Sequence, residues 1–560
     1  MTTAQDGASE SSPSTTSPAT GHLASMSRAV VVGVALALVS QIVLLVVAGW
    51  HNRRLINPDA VSYMRIASYY VNGPTDLMVS GYWGPMMSWL IAPLLGIVAE
   101  PVDAARIVMG LSAALFLLGC VSVFRSFQLG PIEILLGTWV AAITSVIWSV
   151  KVLTPDLLLS GLMFFAVSRM VSPQWIQNRR FQFATGLIWG AAYLTKAVAL
   201  PVALGMGIGI GALWVITRSG SFGVVLRSLG VTLLGLLLLA APWIITLSWK
   251  YESFVFSTTA KIAHAMIGPP DVDRNDPMIV YLPEPGRLWW GEDTPPDLYR
   301  ERYWSPLASL SYAKHQLKVI YSNAKGVFHH LTGFDPLRLG LFATLFGLLV
   351  HVPWRENMRA GRWRWAGVPI SCACAAYLPV YARDERYYYP AYPFLIVAGM
   401  GMVMWLTRSV RGRINLPRVI GIGLVTLSFA YPSLVMLPKA LRGLDDPRTT
   451  YAYDLAKRLQ AANVSGPMVG AGGYDSLWGG YSAGVYLAFY MNEPYLGNEA
   501  QPTAESFKRT DAKLIIIDRQ LPLNAELEQD PAFQNLDGVL FGSHDEASKY
   551  PLKVYRMSNS

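Results

Sequence analysis

Apolar residues along this chain come in long runs rather than in the short alternation of a water-soluble protein. Runs long enough to cross a hydrocarbon core, roughly 17 to 25 residues each, fall at about 29–50, 104–124, 132–150, 156–171, 183–199, 200–217, 228–249, 337–353, 365–382, 388–407 and 418–437. They predict about eleven membrane-spanning helices. The run at 156–171 is short, and 183–217 reads either as two helices or as one broken helix.

Other patterns fill the remainder. Residues 1–27 are rich in Ser, Thr, Pro, Gly and Ala and predict a disordered cytoplasmic tail. The first apolar run is long enough to span, which argues against a cleaved leader. Between 51 and 103 the chain has its own apolar patterning, and Met86 to Val98, too short to span and led by aromatics, predicts a helix lying in the interface. The stretch 250–336, with Pro269-Pro270-Asp271, Asp276-Pro277 and Leu288-Trp289-Trp290, reads as a long functional loop over an acceptor cleft.

Beyond 438 the pattern changes again. Helices are expected at 451–462, 481–491 and near 530–534, with strands at 467–470, 513–518, near 538–541 and at 552–556. This is a small α/β domain. Gly470-Ala471-Gly472-Gly473 lacks the spacing of either nucleotide-binding motif and reads as a turn. The fold class is therefore an α-helical polytopic membrane protein, its helical domain at 28–437, with a C-terminal α/β domain at 438–560.

Charge orients the bundle. Arg179 and Arg180, Arg218 and Arg227, Arg355 to Arg364, and Arg408 to Arg418 fall in alternate loops, which places them and the amino terminus on the cytoplasmic side. The loops 51–103 and 250–336 and the C-terminal domain then lie on the outer face of the cell membrane. Of the 560 residues 52% are hydrophobic and only 14% charged, which excludes an ordinary soluble domain. The net charge of +9 follows largely from the inside-positive loops and does not imply nucleic acid. Cys120, Cys372 and Cys374 all sit in apolar runs, without disulfide or metal-ligand spacing.

On this orientation four polar spots gather at the outer ends of spans: Asp59, Asp156, Lys196, and the cluster Arg383-Asp384-Glu385-Arg386. Taken alone, Asp59 and Asp156 also suit helix N-termini, and Lys196 suits a snorkelling interfacial lysine. Together they suit transfer chemistry. A carboxylate accepts the proton of an attacking hydroxyl, and cations offset charge developing on a departing phosphate. Asp59 and Asp156 are the candidate catalytic acids, Lys196, Arg383 and Arg386 the candidate phosphate ligands, and Tyr63, Tyr82, Trp83 and Tyr387 the candidate cleft lining.

Taken in order, Pro58-Asp59 with Tyr63, Trp83-Gly84-Pro85-Met86, Thr154-Pro155-Asp156-Leu157-Leu158, Ala192-Tyr193-Leu194-Thr195-Lys196 and Arg386-Tyr387-Tyr388-Tyr389-Pro390 resemble the C-type (GT-C) membrane glycosyltransferases. The likeness is to the protein mannosyltransferase-like group that includes the lipid A aminoarabinose transferases and rhizobial galacturonosyltransferases. It covers roughly 30–437 and implies a sugar donor on polyprenyl phosphate, inversion at the sugar carbon, a lipid, glycan or protein acceptor, and Asp59 as base. Two departures stand out: Ala60 follows Asp59 where many members have Glu, and Trp83-Gly84-Pro85 replaces a His-Pro-Pro element. A lone Asp without a paired Glu does not point to a metal there, although some relatives use a divalent ion. Two other classes compete: a transporter or lipid flippase, which places ionisable groups nearer the bilayer midplane and often shows repeats, and a polymerase or ligase of lipid-linked polysaccharide, which relies on an outer loop rich in Arg and His.

Overall fold

A computed structural model describes residues 27–98, 100–272, 303–333, 354–380, 384–410, 415–444, 446–471, 481–499 and 502–558, together with Arg338, Gly340 and Gly347. The predicted span 337–353, Arg383, Leu288 to Trp290, Gly472-Gly473 and the amino-terminal tail up to residue 26 lie outside the described residues, Gly340 and the other isolated positions apart.

Helices dominate. In chain order they are α1 (Arg28–His51), α2 (Pro58–Asn72), α3 (Pro85–Ile91), α4 (Pro101–Ser126), α5 (Pro131–Lys151), α6 (Asp156–Val171), α7 (Gln174–Gln177), α8 (Arg179–Thr195), α9 (Ala199–Ile216), α10 (Phe222–Lys250), α11 (Thr259–Ala265) and α12 (Leu310–Thr332). There follow α13 (Trp354–Arg359), α14 (Gly367–Ala375), α15 (Tyr392–Leu406) and α16 (Leu416–Arg442). Among the described residues, seven helical stretches are long and apolar enough to cross a membrane: α1, α4, α5, α9, α10, the stretch Glu385–Leu406 that includes α15, and the one that begins at Leu416. This is a multi-pass membrane protein.

Three of the predicted spans form helices short for an untilted crossing. α6 has 16 residues and α8 has 17, both short for an untilted span. α6 is buried along almost its whole length, from Asp156 to Val171, and a helix surrounded by protein is as apolar as one surrounded by lipid. The run 365–382 holds only the nine residues of α14 as α-helix. The run 183–217 is two helices, broken at Lys196.

Glycine lets the central helices touch. A Cβ on Gly186 of α8 would lie 2.0 Å from the Thr232 carbonyl oxygen of α10, and one on Gly235 of α10 would lie 2.3 Å from the Phe183 carbonyl oxygen. Small residues at such a crossing let two backbones approach where lipid supplies no hydrophobic drive. The α8–α10 pair positions Lys196, which follows the last turn of α8.

Two long connections also differ from their sequence reading. The loop after α1 folds into α2, whose Tyr63, Met64, Ile66 and Ala67 are buried, and into a short α3 in place of a longer interfacial helix. Ser88 of α3 donates to the Tyr63 carbonyl at 2.9 Å. The loop 250–336 carries the 23-residue α12, whose Asn323 donates to the carbonyls of Leu378 and Val380, each at 2.8 Å.

The C-terminal domain has α17 (Pro447–Ala461), β1 (Met468–Ala471), α18 (Tyr481–Met491), β2 (Tyr495–Glu499), α19 (Ala504–Lys508), β3 (Leu514–Asp518), α20 (Leu523–Gln529), β4 (Phe533–Asn535), α21 (Asp537–Leu540), α22 (His544–Ser548) and β5 (Leu552–Met557). Its five-stranded sheet has the order β2-β1-β3-β5-β4, with β1 parallel to both β2 and β3, and β5 antiparallel to both β3 and β4. The expected helix near 530–534 is strand β4, and the expected strand near 538–541 is helix α21. Elements of three or four residues are too short for a hydrophobic period, so their neighbours decide: Phe533 pairs with Met557 across β5.

Overpacking the α8–α10 crossing gives the first test. Gly186→Val is expected to lower the thermal unfolding midpoint of the purified protein by several degrees, since overfilling a tight contact costs roughly 1–3 kcal/mol. Gly230→Ala on α10, where a Cβ would meet nothing within 4 Å, is expected to leave the midpoint within a degree or two. Equal midpoints for the two variants would refute the close-approach reading.

Candidate active site

The polar spots singled out in the sequence meet at one end of the bundle. Asp59 is the second residue of α2, Asp156 the first of α6, Lys196 the residue after α8, and Arg386 lies in the 3₁₀ turn Glu385–Ala391 that leads into α15. Each therefore stands where a helix starts or stops. Arg383 falls outside the described residues.

They form two acid–cation pairs. Lys196 Nζ donates to Asp156 Oδ1 at 2.7 Å, and Arg386 Nη1 lies 2.7 Å from Asp59 Oδ2. The Asp156 side chain is 3% exposed and that of Asp59 19%. Asp156 is thus an internal counter-charge, while Asp59 can be reached. Arg386 Nε also lies 3.0 Å from Asp384 Oδ2. Lys151 and Glu385 close the rim with a 2.6 Å pair.

Tyr387 stands between the two cations. Lys196 Nζ is 4.6 Å from its ring centre and the Arg386 guanidinium 5.3 Å. Its other ring contact is Tyr377, stacked at 4.9 Å. Trp148 of α5 stacks on Tyr389 at 3.5 Å and holds the turn against the bundle. Tyr63, Trp83 and Tyr82 form an edge-to-face run, with centres 5.0 and 4.6 Å apart. The Tyr63 hydroxyl is pushed well above the usual phenol range by burial first, then by the Asp59 and Asp156 carboxylates. It stays protonated at any working pH.

Local backbone contacts assemble the pairs. Asn57 stands at the N-cap position of α2, but its Oδ1, rather than capping the helix, accepts the Leu153 N–H at 2.9 Å, which ties the Asp59 turn to the segment ahead of Asp156. A Cβ on Gly84 would lie 2.4 Å from the Thr195 carbonyl oxygen. The Trp83-Gly84-Pro85 element therefore rests directly on the end of α8, where no side chain fits. Asn57, Gly84 and Tyr377 were not among the sequence-level candidates. The Asn-Pro-Asp capping pattern could have flagged the first; the other two depend on long-range packing.

Among the described residues, several buried polar atoms around this cluster have no hydrogen-bond partner: Asp156 Oδ2, Trp83 Nε1, Ser62 Oγ, and the hydroxyls of Tyr388 and Tyr389. Native interiors leave few such atoms, and they concentrate where ligands or water bind. No group of three or more His, Cys, Asp and Glu able to hold a metal occurs among the described residues.

No protein-family model matches this chain, and no curated protein is similar to it at a significant level. Solved structures are similar to it. The oligosaccharyltransferase of Archaeoglobus fulgidus in its apo form superposes with a TM-score of 0.55 at 11% identity, over 87% of this chain and 69% of that one. ArnT from Cupriavidus metallidurans bound to undecaprenyl phosphate superposes with a TM-score of 0.55 at 16% identity, over 95% of this chain and 98% of that one. The chain has the GT-C fold of polytopic membrane proteins.

The buried pair can be tested apart from any activity. Lys196→Met leaves Asp156 without its counter-charge and is expected to cost about 3–5 kcal/mol of stability, read as a lowered thermal midpoint. Asp156→Leu combined with Lys196→Met is expected to recover most of that loss. A single variant that melts like the wild type would mean that Asp156 does not depend on Lys196.

Proposed function

We propose that this protein is a membrane glycosyltransferase that moves a sugar from a polyprenyl-phosphate donor to a lipid, glycan or protein acceptor, at the outer face of the cell membrane. The observation that carries the reading is the convergence of Lys196 and Arg386 on Tyr387, each cation backed by its own carboxylate. Such an arrangement suits a phosphate that gains charge during reaction. The GT-C fold, shared with a structure that holds undecaprenyl phosphate, supports the donor class.

In this mechanism Asp59 is the general base. Its Oδ2 faces Arg386, whereas Oδ1 has no hydrogen-bond or ion-pair partner among the described residues. The acceptor hydroxyl gives its proton to Asp59 and its oxygen bonds to the anomeric carbon from the face opposite the phosphate. The bond from that carbon to the phosphate oxygen breaks, and its electron pair leaves on the phosphate. Sugar configuration inverts. Lys196 and Arg386 stabilise the released polyprenyl phosphate, so the leaving group needs no proton. Asp156 acts through Lys196 by holding the ammonium in place. Tyr82, Trp83 and Tyr63 line the sugar side, where aromatic faces suit a pyranose ring.

Transport fits less well. The four ionisable groups lie at helix ends, and the acid–cation pairs are already closed, whereas a carrier needs exchangeable groups near the midplane.

The test is release of polyprenyl phosphate by purified protein in nanodiscs, offered a panel of polyprenyl-phosphate sugars with membrane extract as acceptor source. Asp59→Asn is expected to lower release at least a hundredfold with donor binding nearly intact, as loss of a general base does. Arg386→Ala is expected mainly to weaken donor binding. Release retained at a tenth of the wild-type rate in Asp59→Asn would remove Asp59 as base, and no release with any donor from folded wild type would move the reading to transport.

A further inference from the structure

A second polar site lies where α1 leaves the bundle and α16 ends. His51, Arg53, Arg54, Arg442, Asp446 and Thr450 line, with their neighbours, a cleft of about 490 Å³. None of its lining residues belongs to the Asp59–Arg386 cluster. It stands at the same end of the bundle as Asp59, because the chain leaves α1 through it to reach Pro58.

The cleft is built by one buried side chain. Asn52 donates to the carbonyls of Ala48 and Ala440, each at 2.7 Å, and its Oδ1 accepts the Leu444 N–H at 2.6 Å. This clamps the end of α1 to the end of α16. Gly443, at a φ of 110°, turns the chain away, and even a Cβ there would press on the His51 carbonyl at 3.3 Å.

Its charges are unspent. Asp446 is closed onto Arg448 by two hydrogen bonds of 3.0 and 2.8 Å. Arg53, Arg54 and Arg442 have no ion-pair partner among the described residues; Asp445 is outside those residues. Two of these guanidinium groups are held by their faces, Arg53 over Trp50 at 4.6 Å and Arg54 over Tyr453 at 4.2 Å. A guanidinium stacked on a ring keeps its N–H edge for an oxyanion.

Lipid-facing surface leads up to it. Trp50 is 66% exposed, and Val43, Val46 and Val47 on α1 and Tyr431, Leu434 and Val435 on α16 are exposed as well. An exposed tryptophan at the end of a spanning helix marks the headgroup level. The basic cleft therefore opens at headgroup depth, above an apolar seam between two helices that suits acyl chains.

We propose that this cleft is a binding site for the phosphate headgroup of an anionic membrane lipid, held by Arg53, Arg54 and Arg442 with its chains along α1 and α16. It is independent of the donor site. The phosphate takes charge-assisted hydrogen bonds from the arginines, and each arginine contributes about fivefold to affinity for an anionic lipid surface.

Native mass spectrometry of the full chain, titrated with phosphatidylglycerol and separately with phosphatidylcholine, reads the site. The expected result is one retained phosphatidylglycerol and much weaker retention of phosphatidylcholine. Arg53→Gln with Arg54→Gln and Arg442→Gln should weaken retention at least tenfold, while Arg386→Ala, which weakens binding at the donor site, retains the lipid like the wild type. The three single variants, each expected to lose a few-fold, keep the test valid if the triple variant does not fold. Inorganic phosphate at the same concentration should not displace the lipid. Retention unchanged in the single variants would overturn the proposal, as would displacement by free phosphate, which would make this a site for a soluble anion. Loss of retention in Arg386→Ala would place the lipid in the donor site instead, and equally overturn it.

Discussion

A carboxylate buried inside a membrane protein must have a cation within reach, and Asp156 is such a group. Its ionised form is tolerable because Lys196 donates to it at 2.7 Å, and removing one partner from a buried pair costs far more than the pair contributes. Much of the surrounding architecture keeps that distance. The break between α8 and α9 releases Lys196 from the helix, the glycine contact between α8 and α10 fixes where α8 ends, and Gly84 lets the Trp83 element rest on the same turn. The second pair, Asp59 with Arg386, repeats the arrangement with a more accessible acid. One buried carboxylate and one more accessible carboxylate thus hold two cations beside a single tyrosine ring.

Placing polar groups at helix ends has a physical advantage in a bilayer. Backbone without helical partners is tolerated at membrane depth only where protein covers it or water reaches it, so a site built at the ends of α2, α6 and α8 avoids breaking a span at the midplane. The amphipathic α2 and the short α3 are the floor of this site, and their buried aromatic residues exclude water from one side of it.

The C-terminal domain is joined to that floor. Arg65 of α2 donates to the Ala488 carbonyl at 3.1 Å and also to that of Glu493, both outside the membrane domain. Tyr490 donates to the Arg54 carbonyl at 3.1 Å. The domain therefore braces the helix that carries Asp59, and it borders the basic cleft at the end of α1 through Tyr453. A sheet domain with no membrane-spanning stretch among its described residues gains a fixed orientation from these contacts, and the first connection of the bundle gains rigidity.

Local pattern determined a good part of this protein. Long apolar runs have few folded states other than helices in lipid or in a protein interior, so the polytopic class, an interruption somewhere within 183–217 and the α/β character of the tail were all readable, as was the candidacy of Asp59, Asp156, Lys196 and Arg386. Tertiary structure decided what pattern cannot encode. Apolar composition does not distinguish a helix facing lipid from one enclosed by protein, which is why the burial of α6 along almost its whole length was not legible. The three-residue β4 and four-residue α21 carry no period, and pairing with β5 set the identity of the first. Which acid meets which cation is fixed by contacts between distant segments, such as Asn57 with Leu153 and Gly84 with Thr195. Those contacts depend on shape and on missing side chains, and neither leaves a periodic mark in the sequence.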